Sequence, residues 1–319
     1  MRPMDISKAQ QAMLEKQVMK DFGIALVSAS AVLALFLLLP LRPASVSPPA
    51  VAAVAAAPAP NAFANVPIAA TAAIVFDLAT GAPLYSKNAD AQLPLASLTK
   101  LLAVYAALTE LAPQTPVTIS ATAVQAEAPH LFRAGQVVAL NDLARLTLTA
   151  SLNDGAVAII EAAAAKSSRS ETELLSQTAA DLHLFQTYAV NGNGLDVSTT
   201  VSGGYGSARD MARLAGALVD RAPAIALATT HASASAVSRG GTPLTVTNTD
   251  PMVGTIPHLL LSKTGYTDLA GGNLALVFDV GINHPVAVVV LGSSIEERFT
   301  DGMALVAATL AHFAGVASL

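Results

Sequence analysis

The chain has 319 residues, of which 53% are hydrophobic and 12% are charged, and its formal net charge is −5. This composition favours a membrane-associated or unusually apolar protein, and the absence of a basic run interleaved with aromatics argues against nucleic acid as a partner. Cysteine is absent and the six histidines show no paired metal-ligand spacing, so the sequence predicts no disulfide, no cysteine nucleophile and no metal site.

The N-terminal segment predicts a membrane anchor. Residues 1–20 are polar, and the uncharged stretch from Gly23 to Leu39 predicts one transmembrane helix, with bounds at residues 21–42, because about 20 apolar residues span a bilayer. Four cations precede this span and only Arg42 follows closely, so we expect residues 1–20 to be a cytoplasmic tail. A cleaved signal peptide is the alternative. In both cases the remainder of the chain is expected outside the cytoplasm, at the cell membrane.

A linker and a globular domain are predicted after this anchor. Residues 43–66 are dominated by alanine and proline, which is typical of a semi-rigid linker. The domain is expected over residues 67–319. Its first element is a predicted β-hairpin at residues 71–77 and 83–86, with a turn that contains Gly81.

The next predicted element is a buried helix that carries a serine and a lysine. It begins near Ala96, after Pro94, and is apolar on nearly every face. Ser97 would lie in the first turn, and Lys100 is three residues further along, on the same helix face. A buried lysine with a lowered pKa can take the proton of a serine nucleophile, and a second cation nearby would lower that pKa further.

The remaining elements predict a single α+β domain whose antiparallel sheet is formed from both chain ends, with a helical portion between them. A short turn joins the last two predicted strands, which implies antiparallel pairing. The predicted helices span residues 141–150, 156–165, 211–219 and 297–314, and the predicted C-terminal strands span residues 258–264, 273–279 and 285–291.

Two further motifs accompany the serine and lysine. Ser151-Leu152-Asn153 lies between two predicted helices, and taken alone it is typical of a turn. Lys263-Thr264-Gly265 lies at the end of a predicted strand, where a lysine could equally be an edge charge. What makes these motifs informative is that all three occur in this order, each in the context that its chemistry needs.

With these motifs the chain resembles the penicillin-binding DD-peptidases, which share a fold with serine β-lactamases. The closest match is the low-molecular-mass D-alanyl-D-alanine carboxypeptidase family, over roughly residues 67–319. Besides the three motifs, the resemblance includes Asp77-Leu78-Ala79-Thr80-Gly81, Asn141-Asp142-Leu143, Asn193-Gly194-Leu195, Ser207-Ala208-Arg209-Asp210, Asn248-Thr249 and Tyr266-Thr267-Asp268.

The resemblance implies a mechanism in which Ser97 attacks the bond between two D-alanines of a peptidoglycan stem peptide while Lys100 accepts its proton. Lys263 would be the second cation and would bind the terminal carboxylate of the substrate. Thr264 is expected to hydrogen-bond that carboxylate, and Gly265 to let the substrate backbone approach the strand.

The same resemblance implies the remaining roles. The backbone N–H groups of Ser97 and Tyr266 would form the oxyanion hole. Asn153 would bind the substrate amide, and Ser151 would relay a proton to the leaving D-alanine. No cofactor or metal is required, and β-lactam antibiotics are expected to acylate Ser97.

Three alternatives stay open. A DD-endopeptidase, which cuts peptidoglycan crosslinks, uses the same residues. A class A β-lactamase would carry a glutamate followed three residues later by Leu-Asn, and the nearest candidate, Glu171-Thr172-Glu173-Leu174-Leu175, lacks the asparagine. A catalytically inactive wall-binding module is the third alternative, although every expected catalytic residue is present.

Overall fold

The computed structural model describes residues 12–24, 27 and 61–315. The chain divides into two compact units, Met1–Ala57 and Pro58–Leu319. Because the sequence motifs all lie in the second unit, the fold of that unit positions the site.

The N-terminal predictions fall largely outside the described residues. Residues 12–24 are helical with exposed side chains, and among the described helices none has the length and apolar character needed to cross a membrane. Most of the predicted transmembrane helix at 21–42 and most of the predicted linker at 43–66 lie outside the described residues, so both stay predictions. The last linker residues, 61–66, are described, and they include Phe63, which is buried with its ring centroid 6.0 Å from that of Tyr85.

Helices and strands alternate irregularly along the second unit. Its helices are α1 (Thr99–Glu110), α2 (Leu140–Ala150), α3 (Asn153–Ser167), α4 (Glu171–Asp181), α5 (Ala208–Arg221), α6 (Pro223–Ala228) and α7 (Glu297–Phe313). Its strands are β1 (Ala72–Asp77), β2 (Pro83–Lys87), β3 (Leu93–Pro94), β4 (Pro116–Thr118), β5 (Val137–Ala139), β6 (Tyr188–Ala189), β7 (Gly204–Gly206), β8 (Ser233–Val237), β9 (Pro243–Thr247), β10 (Leu259–Thr267), β11 (Gly271–Asp279) and β12 (Pro285–Ser293).

The main sheet has five antiparallel strands in the order β10-β11-β12-β1-β2. Strand β1 from the start of the domain pairs with β12 from its end, for example Val75 with Val288. The prediction of an α+β domain with an antiparallel sheet built from both chain ends is therefore confirmed. Strand β10 lies at one edge of this sheet, with its outer side toward the short 3₁₀ turn that precedes α1.

Successive side chains of β12 point to opposite faces of the sheet, and each face is covered by an apolar core. Ala287 and Val289 belong to the larger apolar core, which contains the buried side chains of α1, α2, α3 and α5. Val286, Val288 and Val290 belong to a second core, on which α7 packs. The resulting α+β layers place the helical portion against one face of the sheet.

Helix α1 is the buried helix of the larger core, as predicted. The side chains of its first six residues are all buried, and this includes the fully buried Lys100. The helix is preceded by a 3₁₀ turn, Ala96–Leu98, so Ser97 lies just before the regular α-helical segment. The predicted start near Ala96 is correct to within this short turn.

Several elements were not predicted. Helix α3 begins at Asn153 rather than near residue 156, because one left-handed residue, Ser151, is enough to end α2 and redirect the chain. Helix α4, helix α6 and the β8–β9 hairpin were also missed, although Ser170 and Glu173 form a capping box at the start of α4, and Leu244 and Val246 alternate with exposed residues on β9. The three-stranded sheet β3-β7-β6 has strands of two or three residues, which are too short for a sequence pattern to indicate.

Candidate active site

The serine and the lysine of the first motif are in direct contact. Lys100 Nζ lies 2.6 Å from Ser97 Oγ, within hydrogen-bond distance. It also donates to the carbonyl oxygen of Asn193, at 2.7 Å. Ser97 is half-buried at the start of the helix and follows Ala96, whose φ of 48° lies in the left-handed region. The turn thus holds the hydroxyl beside the amine.

The pKa of Lys100 is held well below its ordinary value of 10.5. Burial is the first cause, because it penalises the charged amine, and the positive charge of Lys263 is the second; Asp154 acts in the opposite direction. A neutral amine at this distance can accept the hydroxyl proton of Ser97. The expectation that Lys263 helps to keep Lys100 neutral agrees with this direction, although burial is the larger cause.

Lys263 on β10 occupies the other side of the site. Its Nζ donates to Ser151 Oγ at 2.9 Å and to the carbonyl oxygen of Thr264 at 2.6 Å. Burial, and then the positive charge of Arg298, lower the pKa of Lys263 to about 7. The second and third motifs, which are 112 positions apart in the chain, therefore meet through this one hydrogen bond to the serine.

Strand β10 runs close to the nucleophile turn at Gly265. A Cβ atom at this position would lie 3.0 Å from the carbonyl oxygen of Leu95 and 3.3 Å from the backbone nitrogen of Ser97. A side chain there would push the strand away from the turn. The family resemblance implies that this glycine makes room for substrate backbone; in the structure the neighbour that it accommodates is the turn that carries the nucleophile.

Thr264 and Asn153 have polar groups that can serve a ligand. Thr264 Oγ1 lies 2.6 Å from Thr249 Oγ1, so each hydroxyl has one partner. Asn153 is buried and its amide nitrogen donates to the carbonyl oxygens of Glu127 and Ala128, at 2.9 and 3.0 Å. Its buried Oδ1 has no hydrogen-bond partner among the residues that the structure describes. That oxygen is a free acceptor for an incoming N–H group.

The whole constellation consists of a serine with a neutral amine beside it, and a second amine that can carry charge. This is the chemistry of a nucleophilic hydrolase that needs no metal. Within the described residues, no three His, Asp or Glu side chains are grouped so that they could hold a metal ion.

A family model described as D-alanyl-D-alanine carboxypeptidase, peptidase S11, matches residues 55–294, which is more than half of the chain. The chain belongs to this family. As a member it is a serine hydrolase of the D-alanyl-D-alanine carboxypeptidase type.

Individual relatives agree with this assignment. The chain is 29% identical over 248 residues to a D-alanyl-D-alanine endopeptidase of Pseudomonas aeruginosa, a match that covers 75% of this chain and 77% of that protein. The structure is similar to a D-alanyl-D-alanine carboxypeptidase of Mycobacterium tuberculosis, with a TM-score of 0.67, 24% identity, and coverage of 78% of this chain and 95% of that one. It is also similar to penicillin-binding protein D2 of Listeria monocytogenes in an ampicillin-bound form, with a TM-score of 0.63, 24% identity, and coverage of 76% and 98%.

In this S11 family member, three residues next to the motifs were missed as site residues. Asn193 contacts Lys100 through its backbone carbonyl, which no side-chain pattern can indicate, although Asn193-Gly194 is a typical turn dipeptide. Asp154, in the first turn of α3, is fully buried and accepts hydrogen bonds from three backbone N–H groups, two of them in the segment that precedes β5. Arg298 on α7 is buried and donates to the carbonyl oxygen of Gly265 at 2.7 Å. The buried face of α7 also carries Asp301, so no sequence pattern distinguished Arg298 from a surface arginine.

Proposed function

We propose that this protein is a serine D-alanyl-D-alanine carboxypeptidase that removes the terminal D-alanine from peptidoglycan stem peptides through an acyl-enzyme on Ser97. The observation that carries the proposal is the pair of buried lysines around the serine. Lys100 is 2.6 Å from the nucleophile with a strongly lowered pKa, and Lys263 has a pKa of about 7, at which a buried amine can still gain a proton and bind an anion.

In the proposed acylation step, neutral Lys100 takes the hydroxyl proton and Ser97 Oγ attacks the carbonyl between the two D-alanines. The N–H groups of Ser97 and Tyr266 stabilise the oxyanion. As the intermediate collapses, the C–N bond breaks, and Ser151 relays to the amine of the leaving D-alanine the proton that Lys100 took from Ser97, which returns Lys100 to its neutral form. Water then hydrolyses the ester on Ser97, which releases the shortened stem peptide.

We propose that the substrate is bound by hydrogen-bonding groups that still have a free donor or acceptor position in the site without substrate. Lys263 uses two of its three possible N–H donors on protein acceptors, so a third remains for the terminal carboxylate when the amine is charged. Thr264 contributes its hydroxyl to the same carboxylate. Asn153 Oδ1 accepts from a substrate amide N–H.

A DD-endopeptidase activity is the second candidate. The observation that favours it is the Pseudomonas aeruginosa relative, which is named an endopeptidase and is 29% identical over 75% of this chain. The chemistry at Ser97 is the same for both activities, because each cleaves an amide bond on the carboxyl side of a D-alanine.

β-Lactam antibiotics are proposed as acylating inhibitors. Penicillin-binding protein D2 is similar in fold and has been solved in ampicillin-bound and cefotaxime-bound forms. Rapid β-lactam hydrolysis is not proposed, because Glu171, the glutamate of the nearest match to the required pattern, is followed three residues later by Leu174-Leu175 and not by Leu-Asn.

We also propose that the catalytic domain lies outside the cytoplasm and is held at the cell membrane by the N-terminal helix predicted at residues 21–42. What supports this is the uncharged apolar stretch and the excess of cations before it. Fractionation of cells that express the full chain, with protease added to the outside, tests the location; protection of the domain in intact spheroplasts would contradict it.

One experiment separates the activities. The purified chain is incubated with fluorescent penicillin, with a diacetylated Lys-D-Ala-D-Ala peptide, and with a crosslinked muropeptide dimer, and Ser97→Ala serves as the matched control. Durable label and released D-alanine, both absent from the variant, are the expected result. If the dimer is cleaved and the peptide is not, the protein is an endopeptidase. Rapid loss of the penicillin label would establish a β-lactamase, and the absence of any label would leave a wall-binding module.

A further inference from the structure

The connection between β6 and β7 contacts two parts of the active site at once. The carbonyl oxygen of Asn193 accepts a hydrogen bond from Lys100 Nζ at 2.7 Å. The next residue, Gly194, has a φ of 78°, and a Cβ atom there would lie only 1.9 Å from the carbonyl oxygen of Ala96. The connection therefore packs directly on the general base and on the residue that precedes the nucleophile.

Two asparagine side chains make residues 191–195 a locally bonded turn. Asn191 Oδ1 accepts from the N–H of Gly194 at 2.7 Å, and Asn191 Nδ2 donates to the carbonyl oxygen of Leu195 at 3.0 Å. Asn193 Oδ1 accepts from the N–H of Leu195 at 2.9 Å. Because these bonds fix the shape of the turn, the turn shifts as one piece, and the Asn193 carbonyl shifts with it.

Asp196, the residue that follows this turn, joins it to the end of β10. One carboxylate oxygen accepts from the hydroxyl of Thr267 at 3.0 Å, and the other accepts from the N–H of Leu269 at 3.3 Å. The Thr267 hydroxyl in turn accepts from the N–H of Ala270 at 3.2 Å. Thr267 follows Tyr266 directly, so Asp196 bonds to the β10–β11 turn one residue beyond the proposed oxyanion donor.

We propose that Asp196 is a positioning residue for catalysis. By bonding to both Thr267 and Leu269, it holds the turn at 191–195 against the β10–β11 turn. This keeps the Asn193 carbonyl on Lys100 and the Tyr266 N–H at a fixed distance from Ser97. The role rests on the proposed function, because it assigns a task to Asp196 in the same acylation step.

The test compares Asp196→Ala with Asp268→Ala in the full chain. Asp268 lies on the same turn, but it is exposed, and within the described part of the chain its carboxylate accepts one hydrogen bond, from the Tyr266 hydroxyl at 3.4 Å. Asp196→Ala is expected to lower the rate of Ser97 acylation by penicillin, and kcat for the diacetylated peptide, about 10- to 100-fold, since small displacements of catalytic groups have effects of this size. Its KM should change little, because Asp196 does not contact the substrate. For Asp268→Ala, the rate of acylation by penicillin and kcat for the peptide should both equal the wild-type values.

Two further variants keep the test decisive if Asp196→Ala folds poorly. Asp196→Asn retains one carbonyl acceptor and should recover part of the rate, and Thr267→Val removes the other side of the contact. The double variant Asp196→Ala/Thr267→Val should lose clearly less rate than the product of the two single losses, because the hydrogen bond between Asp196 and the Thr267 hydroxyl is broken by both changes. Wild-type acylation by Asp196→Ala, or losses that simply multiply in the double variant, would overturn the proposal.

The penicillin readout separates this proposal from the proposed function. If the wild-type chain is labelled at Ser97 but releases no D-alanine from the peptide, the carboxypeptidase proposal fails. The acylation rates still test the positioning role of Asp196 in that case.

Discussion

Replacing Lys263 by methionine removes the second cation and keeps most of the buried aliphatic stem. Lys263 is 1% exposed, and when charged it has one N–H donor left for the substrate carboxylate after its bonds to Ser151 and Thr264. A hydrogen bond between charged groups contributes about 1.5–3 kcal/mol, so kcat/KM for a peptide with a free C-terminal carboxylate should fall about 10- to 150-fold.

The same substitution should also change the pH dependence. The positive charge of Lys263 is the second cause, after burial, of the lowered pKa of Lys100, so its removal raises that pKa. Lys100 accepts a proton only in its neutral form, which is present above its pKa. The acid limb of the pH profile of kcat/KM should therefore move to higher pH in the variant.

The alkaline limb of the wild-type profile reports on Lys263 itself. Its pKa of about 7 means that the free enzyme carries this charge below about pH 7 and loses it above, so kcat/KM for the carboxylate peptide should decline as pH rises through that value. This decline should be absent from Lys263→Met, which has no proton to lose at this position.

The assay measures kcat/KM for diacetylated Lys-D-Ala-D-Ala and for the same peptide with a C-terminal amide, across a range of pH. Lys166→Met, at an exposed lysine near the end of α3, is the matched control. An unchanged ratio of carboxylate to amide hydrolysis in Lys263→Met, together with an unmoved acid limb, would refute both roles of Lys263.

Three further predictions concern the nucleophile, the turn beside it and the far end of the sheet. Ser97→Ala should abolish penicillin labelling and change Tm by no more than about 3 °C, since the hydroxyl contributes little to folding; a larger loss by calorimetry would contradict this. Gly194→Ala should slow acylation at least about tenfold, because its Cβ would lie 1.9 Å from the Ala96 carbonyl oxygen, and wild-type labelling kinetics would show that the turn can move without cost. Burial raises the pKa of Asp77, but its hydrogen bond with His284 and its bonds from backbone N–H groups lower it below 3.8 overall. The stability from these bonds is present above that pH and lost as pH falls below it, so Asp77→Asn should cost about 1–2 kcal/mol in urea unfolding near pH 7 and clearly less near pH 3.

The local part of the site could be predicted from the sequence. Ser97 and Lys100 are one helical turn apart, and that spacing alone brings the amine to the hydroxyl once the helix forms. The strands of the main sheet were also predictable, because runs such as 285–291 are β-branched and are bounded by turn residues. These features depend on neighbours within a few positions of the chain.

Three other features of the site could not be predicted from local sequence patterns. The left-handed conformation of Ser151 places α3 three residues earlier than expected. The carbonyl of Asn193 contacts Lys100 across 93 positions. The buried Arg298 reaches β10 from the last helix, across 33 positions. Backbone carbonyls carry no sequence signature, and a buried charge on a helix looks like a surface residue until the packing is known.

The sequence by itself determined which chemical groups this protein possesses and which of them are close along one helix. Only the tertiary structure decided that Lys263 lies against Ser151, and how far burial lowers the pKa of each lysine. The physical reason is that a pKa depends on solvent exclusion and on distances to charges from distant parts of the chain, and both arise only when the sheet and the helices pack together.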